Sequence, residues 1–283
     1  MIAGFAAWAG GLLRVRNSEC VACGKPMGVK RGLSRYDRRT ASLLAYLCPA
    51  CAAAIPWIDR IACATCGRAI VCPDCARREA ASFVQNRSSV RYDPAMRQWL
   101  ALYKYRGHER LAEPLAAMVC HAYERMMEEL MQREGGGDGG GSRRGEASYW
   151  TAVTFVPVSK EREIERGFNQ AQRFAEELAA RYRLPLYGLL TRVRHSEKQS
   201  LKSRRERIAD MRTAFGIHAQ EVNRLRDAEA RGIVGGRSAS SPCRILLVDD
   251  IYTTGGTVDA CAAKLQEATG GRARVYALTW ARS

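Results

Sequence analysis

The stretch RILLVDDIYTTGGT at residues 244–257 restricts the possible folds more than any other part of the chain. Its short apolar run predicts a buried strand, and the threonines and glycines that follow predict a turn into a helix. Apolar residues then recur at helical spacing, at Val258, Cys261, Ala262, Leu265 and Ala268. Gly270 and Gly271 end that helix, and RVYALTW at 274–280 predicts a second strand. This order predicts an α/β fold in which helices flank a parallel sheet.

The two adjacent aspartates predict a ligand site at the end of the first of these strands. In open parallel sheets, ligands bind beyond the carboxyl ends of the strands, where Asp249 and Asp250 lie. Carboxylates only accept hydrogen bonds, so the hydroxyls of a sugar diol suit them. The threonine and glycine loop leads into a helix start with free N–H groups, which suits a phosphate monoester. A ribose 5-phosphate pocket is therefore expected; a simple turn capped by Asp250 is the alternative interpretation.

Cysteine spacing predicts two metal sites near the N-terminus. Eight of the 11 cysteines form four Cys-x-x-Cys pairs, which are Cys20/Cys23, Cys48/Cys51, Cys63/Cys66 and Cys72/Cys75. Two such pairs supply four thiolates, the closed tetrahedral set of a structural zinc ion. The spacing favours sequential pairing, with the first four cysteines on one ion and the last four on another, although cross-braced pairing is also open. The remaining three, Cys120, Cys243 and Cys261, are interpreted as packing residues.

Composition divides the chain into two predicted domains, residues 1–82 with the cysteine pairs and 83–283 with the α/β pattern. A short helix is expected at the very start. Helical spacing predicts a helix in two pieces over 93–133 and a helix over 168–182. The β-branched and aromatic residues of 150–159 predict a short buried strand. Flexible loops are expected near 134–147, which is rich in glycine, and near 218–242, which is polar. The basic segment 192–212 is interpreted as a mobile arm.

The net charge of +16 favours polyanionic or phosphorylated partners, and it is equally compatible with a basic protein that is merely soluble. The first 80 residues hold 12 Lys and Arg against 5 Asp and Glu. Four arginines between the first two cysteine pairs either contact nucleic-acid phosphates or form a solubilising loop; they are Arg31, Arg35, Arg38 and Arg39. The apolar opening has its charges only after the apolar run and is too short to span a bilayer. A cytoplasmic protein without a membrane span is therefore expected.

Several motifs resemble those of a known family. The 244–257 stretch is similar to the motif with which type I phosphoribosyltransferases bind phosphoribosyl pyrophosphate (PRPP). FVPVSKEREIERGFNQAQRFAEELA at 155–179 resembles the signature of the ComF family of phosphoribosyltransferase-like proteins, in which a proline loop leads to Arg-Gly-Phe-Asn-Gln. LALYKYRG at 100–107, the arm at 195–215 and the N-terminal cysteine pairs match that family too. The resemblance implies a type I phosphoribosyltransferase fold with a double zinc ribbon.

The resemblance also implies roles for particular residues. Asp249 and Asp250 would hold the ribose hydroxyls of PRPP. The 5-phosphate loop would comprise Thr253, Thr254, Gly255, Gly256 and Thr257. The loop at the pyrophosphate would comprise Val158, Ser159 and Lys160. Residues acting on the leaving group and in the flexible catalytic loop would be Arg162, Arg166, Gln199, Arg204 and Arg207. Magnesium would accompany PRPP and bridge its oxygens.

The residues leave two hypotheses for function. In the first, the protein is an enzyme that transfers phosphoribosyl from PRPP to an unidentified acceptor and releases pyrophosphate. In the second, it is a binding module that uses PRPP as an effector or not at all. Its zinc domain would then contact single-stranded DNA or a helicase or other protein of the DNA-uptake machinery, because ComF relatives are linked to natural transformation.

Overall fold

The computed structural model describes residues 19–27, 38–77, 80–105, 108–134, 149–193, 213–234 and 243–283. Contacts divide the chain into two compact units, Met1–Ala54 and Ile55–Ser283. The sequence predicts the boundary near residue 82 instead. The difference arises because Cys66 and Cys72, of the last two pairs, belong to the hydrophobic core of the larger unit. The predicted N-terminal helix lies outside the described residues.

The described residues of the smaller unit form turns and two short helices, α1 (Arg38–Leu43) and α2 (Pro49–Ala53). Pro49 begins α2 at a position where the missing N–H group costs nothing. Among the described residues of this unit, the buried apolar side chains are Cys20, Val21, Leu43, Leu44, Leu47 and Ala52. A metal ion is a source of stability that suits a unit with so few buried apolar side chains in its described part.

The larger unit is built on a four-stranded parallel sheet in the order β1-β6-β5-β2. Its strands are β1 (Gln85–Arg91), β2 (Ala152–Phe155), β5 (Cys243–Tyr252) and β6 (Ala273–Arg282). A separate antiparallel pair joins β3 (Leu190–Arg192) to β4 (Phe215–Ile217). The expected parallel α/β sheet is therefore confirmed. The predicted strand over 150–159 is shorter than expected.

Helices cover both faces of the sheet, which explains why β5 is apolar without alternation. The described helices of this unit are α3 (Pro73–Ala76), α4 (Pro94–Tyr105), α5 (Ala112–Arg133), α6 (Lys160–Arg166), α7 (Gln170–Tyr182), α8 (Ala219–Ala230) and α9 (Gly256–Ala268). Of these, α5, α7 and α9 make the main contacts with the sheet. Ile245 and Leu247 join the core that contains α8 and α9, and the intervening Leu246 is also fully buried. The βαβ unit β5-α9-β6 has the predicted order.

Two segments differ from the loops expected from the sequence. The segment near 218–242 contains α8, where Val222 and Leu225 are buried and His218 accepts a hydrogen bond from the backbone N–H of Glu221. The helix has only this narrow apolar stripe, so its periodicity is weak. Of the predicted arm, Arg192 belongs to β3, whereas 194–212 lies outside the described residues. The glycine-rich part of 134–147 lies outside them too. None of the described helices has the length and apolar character needed to cross a membrane.

Candidate functional site

A polar cavity of about 170 Å³ opens at the carboxyl edge of the sheet, beyond β2 and β5. Its lining comes from α4, the loop after β2, α6, the start of α7, β3, the end of β5 and the start of α9. The charged side chains lining it are Lys104, Arg162, Arg166, Arg192, Asp249 and Asp250. Four cations thus surround two carboxylates, which favours an anionic ligand that also carries hydrogen-bond donors.

The two aspartates occupy different environments although they are adjacent. Asp249 is 8% exposed, and its Oδ1 accepts the backbone N–H of Asp250 at 2.8 Å. Burial, followed by the neighbouring Asp250 carboxylate, raises the pKa of Asp249 to about 8. Asp250 forms an ion pair with Lys104 at the end of α4. Asp249 therefore holds a proton at neutral pH in the absence of a ligand, whereas Asp250 is paired.

The cations come from elements far apart in the sequence. Lys104 lies in the last turn of α4, Arg162 and Arg166 lie in α6, and Arg192 ends β3. Burial lowers the pKa of Arg192, an effect that nearby Arg162 reinforces and Asp249 opposes. A partly buried guanidinium in an electropositive cavity gains from an anion at close range. Sequence reasoning identified the two α6 arginines but missed Lys104 and Arg192, because no local pattern places them beside β5.

The Arg-Gly-Phe-Asn-Gln motif forms the wall of the cavity through specific backbone contacts. Gly167 ends α6 with a φ of 77°, in the left-handed region that favours glycine. Asn169 caps α7, since its side-chain oxygen accepts the backbone N–H groups of Ala171 and Gln172 at 3.0 and 3.4 Å. Its Nδ2 donates to the carbonyl of Val156 at 3.0 Å. The motif therefore fixes the loop after β2 against α7.

Ser159 has a related role at the start of α6. Its hydroxyl accepts the backbone N–H of Arg162 at 3.4 Å, and the residue is buried. Val158 and Ser159 line the cavity, whereas Lys160 is exposed and does not. The loop proposed for the pyrophosphate thus contributes two of its three residues.

The threonine and glycine loop lies at the other end of the site. Gly255 is the N-cap of α9 with a φ of 85°, so a side chain there would be strained. Thr257 lines the cavity. Thr253 and Thr254 are exposed, and these two residues and the two glycines are absent from the cavity lining. The structure therefore brings only Thr257 of this loop to the cavity wall, although the start of α9 follows the acid pair directly.

The predicted catalytic residues fall into two groups. Asp249, Asp250, Arg162 and Arg166 share one cavity. Gln199, Arg204 and Arg207 lie outside the described residues. Among residues not predicted, Gln170 also lines the cavity, and its membership of the Arg-Gly-Phe-Asn-Gln motif was the signal that could have identified it.

The cysteines form two groups of four, in the sequential arrangement that their spacing favours. One group comprises Cys20, Cys23, Cys48 and Cys51, and the other Cys63, Cys66, Cys72 and Cys75. Within each group all sulfur atoms lie within 4.8 Å of one another. The Cys23 and Cys48 sulfurs are 3.8 Å apart. Zn–S bonds of about 2.3 Å in a tetrahedron give an S–S edge of about 3.8 Å, so each group fits a zinc ion.

Basic side chains surround the second cysteine group. Arg282 Nη2 lies 3.6 Å from Cys66 Sγ and 3.8 Å from Cys72 Sγ. Arg68 Nη1 lies 4.0 Å from Cys72 Sγ. Burial tends to raise the pKa of Cys72, but hydrogen bonds, led by the backbone N–H of Cys75, lower it to about 7. These contacts favour the thiolate form that binds metal ions.

Two competence proteins are similar to this chain over most of its length. Competence protein ComFC of Bacillus subtilis (strain 168) is 28% identical over 246 residues, which cover 84% of this chain and 84% of that protein. Competence protein ComFC of Streptococcus pneumoniae (strain ATCC BAA-255 / R6) is 25% identical over 220 residues, which cover 73% and 79%. No family model matches the chain.

Proposed function

The chain belongs to the ComF family, and from that premise we propose that it binds PRPP in the cavity beyond β2 and β5. The observation that carries the proposal is the convergence of the acid pair and four cations on one cavity. The carboxylates accept hydrogen bonds from ribose hydroxyls, and the cations offset the charge of the phosphate groups. The start of α9 offers its N–H groups to the 5-phosphate.

The reaction we propose is transfer of the phosphoribosyl group to an acceptor with release of pyrophosphate. The bond between C1 and the pyrophosphate oxygen breaks and its electron pair leaves with pyrophosphate, while a lone pair of the acceptor forms the new bond to C1 and the acceptor's proton passes to water or to the released pyrophosphate. Arg162 and Arg166 line the cavity where they can stabilise that anion. Magnesium fits this site because carboxylate and phosphate oxygens are its preferred ligands, with Asp249 and Asp250 supplying the former. When bound, it would offset the charge of the departing group.

The biological setting follows from the relatives, both of which are named competence proteins. We therefore assign this chain to DNA uptake during natural transformation. The two cysteine groups hold one structural zinc ion each in this proposal. The smaller unit, in the basic N-terminal part of the chain, would contact single-stranded DNA or a protein of the uptake machinery.

A second candidate is a binding module that responds to PRPP without transferring it. The observation that favours it is that Lys160, in the pyrophosphate loop, does not line the cavity. Both candidates require PRPP binding, so turnover separates them. An enzyme releases pyrophosphate in proportion to an added acceptor, whereas a binding module releases none.

Calorimetric titration of PRPP in the presence of Mg²⁺ tests the shared requirement. The comparison uses the unsubstituted protein, the double variant Asp249→Asn/Asp250→Asn and the control Asp227→Asn. Asp227 is exposed on α8, so its substitution makes the same chemical change far from the cavity lining. We expect affinity at least tenfold weaker in the double variant and unchanged in the control. Equal affinity in all three proteins, or no binding to any, would contradict the proposal.

A further inference from the structure

The side chain of Gln170 is buried but only half of its amide is hydrogen-bonded. The residue is 1% exposed and begins α7 at the wall of the cavity. Its Oε1 accepts a hydrogen bond from Arg166 Nη1 at 3.0 Å. Its Nε2 has no hydrogen-bond partner within the described part of the chain. A buried donor without a partner is unfavourable, so its presence requires an explanation.

Arg166 determines which end of the amide faces away from it. A guanidinium group carries donors only, so Gln170 must present its oxygen to Arg166 and its NH₂ group to another neighbour. Arg166 is itself held by Tyr105, whose hydroxyl accepts from Nη2 at 2.9 Å and whose ring centroid lies 5.0 Å from the guanidinium carbon. The direction of the Gln170 donors is therefore set before any ligand binds.

A second buried donor at this wall of the cavity also lacks a hydrogen-bond partner. Arg166 Nε is buried and has no hydrogen-bond partner within the described part of the chain. Both residues line the cavity, as does Arg162, and the lining of this wall contains no acidic side chain among the described residues. The two aspartates lie on β5 instead. Unpaired donors beside two guanidinium groups are complementary to an oxyanion of high charge.

We propose that Gln170 and Arg166 together form a subsite for the pyrophosphate group of PRPP, in which Gln170 Nε2 donates to a phosphate oxygen. This inference rests on the proposed function and refines it. It makes Gln170 a determinant of specificity: the residue distinguishes PRPP from ribose 5-phosphate, which lacks the pyrophosphate group.

Two substitutions separate this role from a structural one. Gln170→Met keeps the length of the side chain and removes both unpaired donors. Gln170→Glu keeps an acceptor for Arg166 and places a carboxylate oxygen where the donor was. Gln172→Met is the matched control, because Gln172 lies on the same helix, is outside the cavity lining and bonds to Glu176 Oε1 at 2.9 Å.

The experiment titrates each protein with PRPP, inorganic pyrophosphate and ribose 5-phosphate in the presence of Mg²⁺. We expect Gln170→Met to weaken the binding of PRPP and of pyrophosphate about tenfold, and Gln170→Glu to weaken both further. The affinity of each variant for ribose 5-phosphate should stay within about twofold of that of the unsubstituted protein. The thermal midpoint of Gln170→Met should change little, because removal of the unpaired buried donor offsets the loss of the Oε1 acceptor for Arg166 Nη1. The control should match the unsubstituted protein throughout.

The outcomes distinguish this inference from the proposed function. If PRPP binds all four proteins equally, the inference is wrong and the PRPP site remains. Equal weakening of all three ligands in Gln170→Met would also overturn the assignment to pyrophosphate. If PRPP binds none but pyrophosphate binds in a Gln170-dependent manner, the subsite stands and the proposed function fails. If neither PRPP nor pyrophosphate binds to any of the four proteins, both the inference and the proposed function are wrong.

Discussion

The ammonium group of Lys104 forms an ion pair with the carboxylate of Asp250, joining the end of α4 to the end of β5. The two side chains are 13% and 20% exposed, so water screens the pair only partly. Removal of Lys104 leaves Asp250 next to Asp249 without its partner. We expect Lys104→Met to lower the free energy of unfolding by about 1–2 kcal/mol, measured by urea denaturation.

The control for this prediction is Lys264→Met, which breaks a more exposed ion pair with Glu267 on α9. Its cost should stay below about 0.5 kcal/mol. A double-mutant cycle isolates the pair itself: in an Asp250→Asn background, Lys104→Met should cost much less. Equal costs in both backgrounds would show that Lys104 stabilises the protein by other contacts.

The pKa of Asp249, raised to about 8 mainly by burial, predicts a pH-dependent stability. In the unfolded chain this carboxyl ionises near its ordinary pKa of about 3.9, whereas the folded protein keeps it protonated up to about pH 8. The folded state therefore binds more protons between these values, and stability falls as pH rises through this range. Asp249→Asn removes this loss because the amide does not titrate.

Thermal unfolding without ligand at pH 6.0 and pH 8.5 measures this effect. We expect the advantage of Asp249→Asn over the unsubstituted protein to be larger at pH 8.5, with a difference in midpoint of roughly 2–6 °C. Asp227→Asn, on the exposed side of α8, should show no such change with pH. An advantage that is constant across the two pH values would mean that Asp249 ionises at its ordinary pKa.

The sequence predicted the β5-α9-β6 unit and the acid pair because their signals are local. The apolar run before Asp249 follows from burial on both faces of a parallel strand, and Gly255 marks the turn that only glycine accommodates without strain. Each Cys-x-x-Cys pair is local in the same way, whereas the spacing only favoured the sequential grouping of the pairs that the structure has. These features depend on neighbours within a few residues.

Other elements depend on partners far away in the chain and could not be predicted. Strand β1 reads QNRSSVR, which is polar, yet six of its seven residues are buried. Distant groups satisfy its polar atoms: Ser88 Oγ lies 2.6 Å from Thr279 Oγ1, and Arg87 forms a salt bridge of 2.7 Å with Glu129. The position of Lys104 beside Asp250 likewise follows from the packing of α4. The sequence pattern of β1 or of α4 alone does not predict these contacts between distant residues.

The cap formed by Asn169 predicts a measurable contribution to stability. Asn169→Ala removes both the acceptor for the first N–H groups of α7 and the donor to the Val156 carbonyl. We expect a loss of about 1–3 kcal/mol in the free energy of unfolding. Asn169→Asp retains the acceptor but not the donor, so its cost should be smaller. If aspartate is as costly as alanine, the tie to the loop after β2 dominates over the cap.

The contact of Arg282 with the second cysteine group predicts an effect on zinc retention. Four thiolates around Zn²⁺ carry a net charge of −2, which is costly in the buried surroundings of Cys66 and Cys72. Arg282 Nη2 lies within 3.8 Å of both sulfurs and is held by stacking on Tyr252, whose ring centroid is 4.8 Å away. Removing this charge should weaken metal binding about tenfold or more, as for other groups that contact metal ligands.

Zinc release into a chromogenic chelator measures this retention directly. The unsubstituted protein should release two zinc ions per chain, one from each cysteine group. We expect Arg282→Gln to accelerate release of one ion only, because the first group lacks this contact, and Arg282→Lys to show a smaller effect. The control is Arg274→Gln, because Arg274 is exposed on the same strand. This substitution should leave the release rates of both zinc ions unchanged. If Arg282→Gln accelerates the release of both zinc ions equally, the substitution destabilises the protein in general. If the release of neither ion changes, Arg68 alone suffices to balance the charge of the second group.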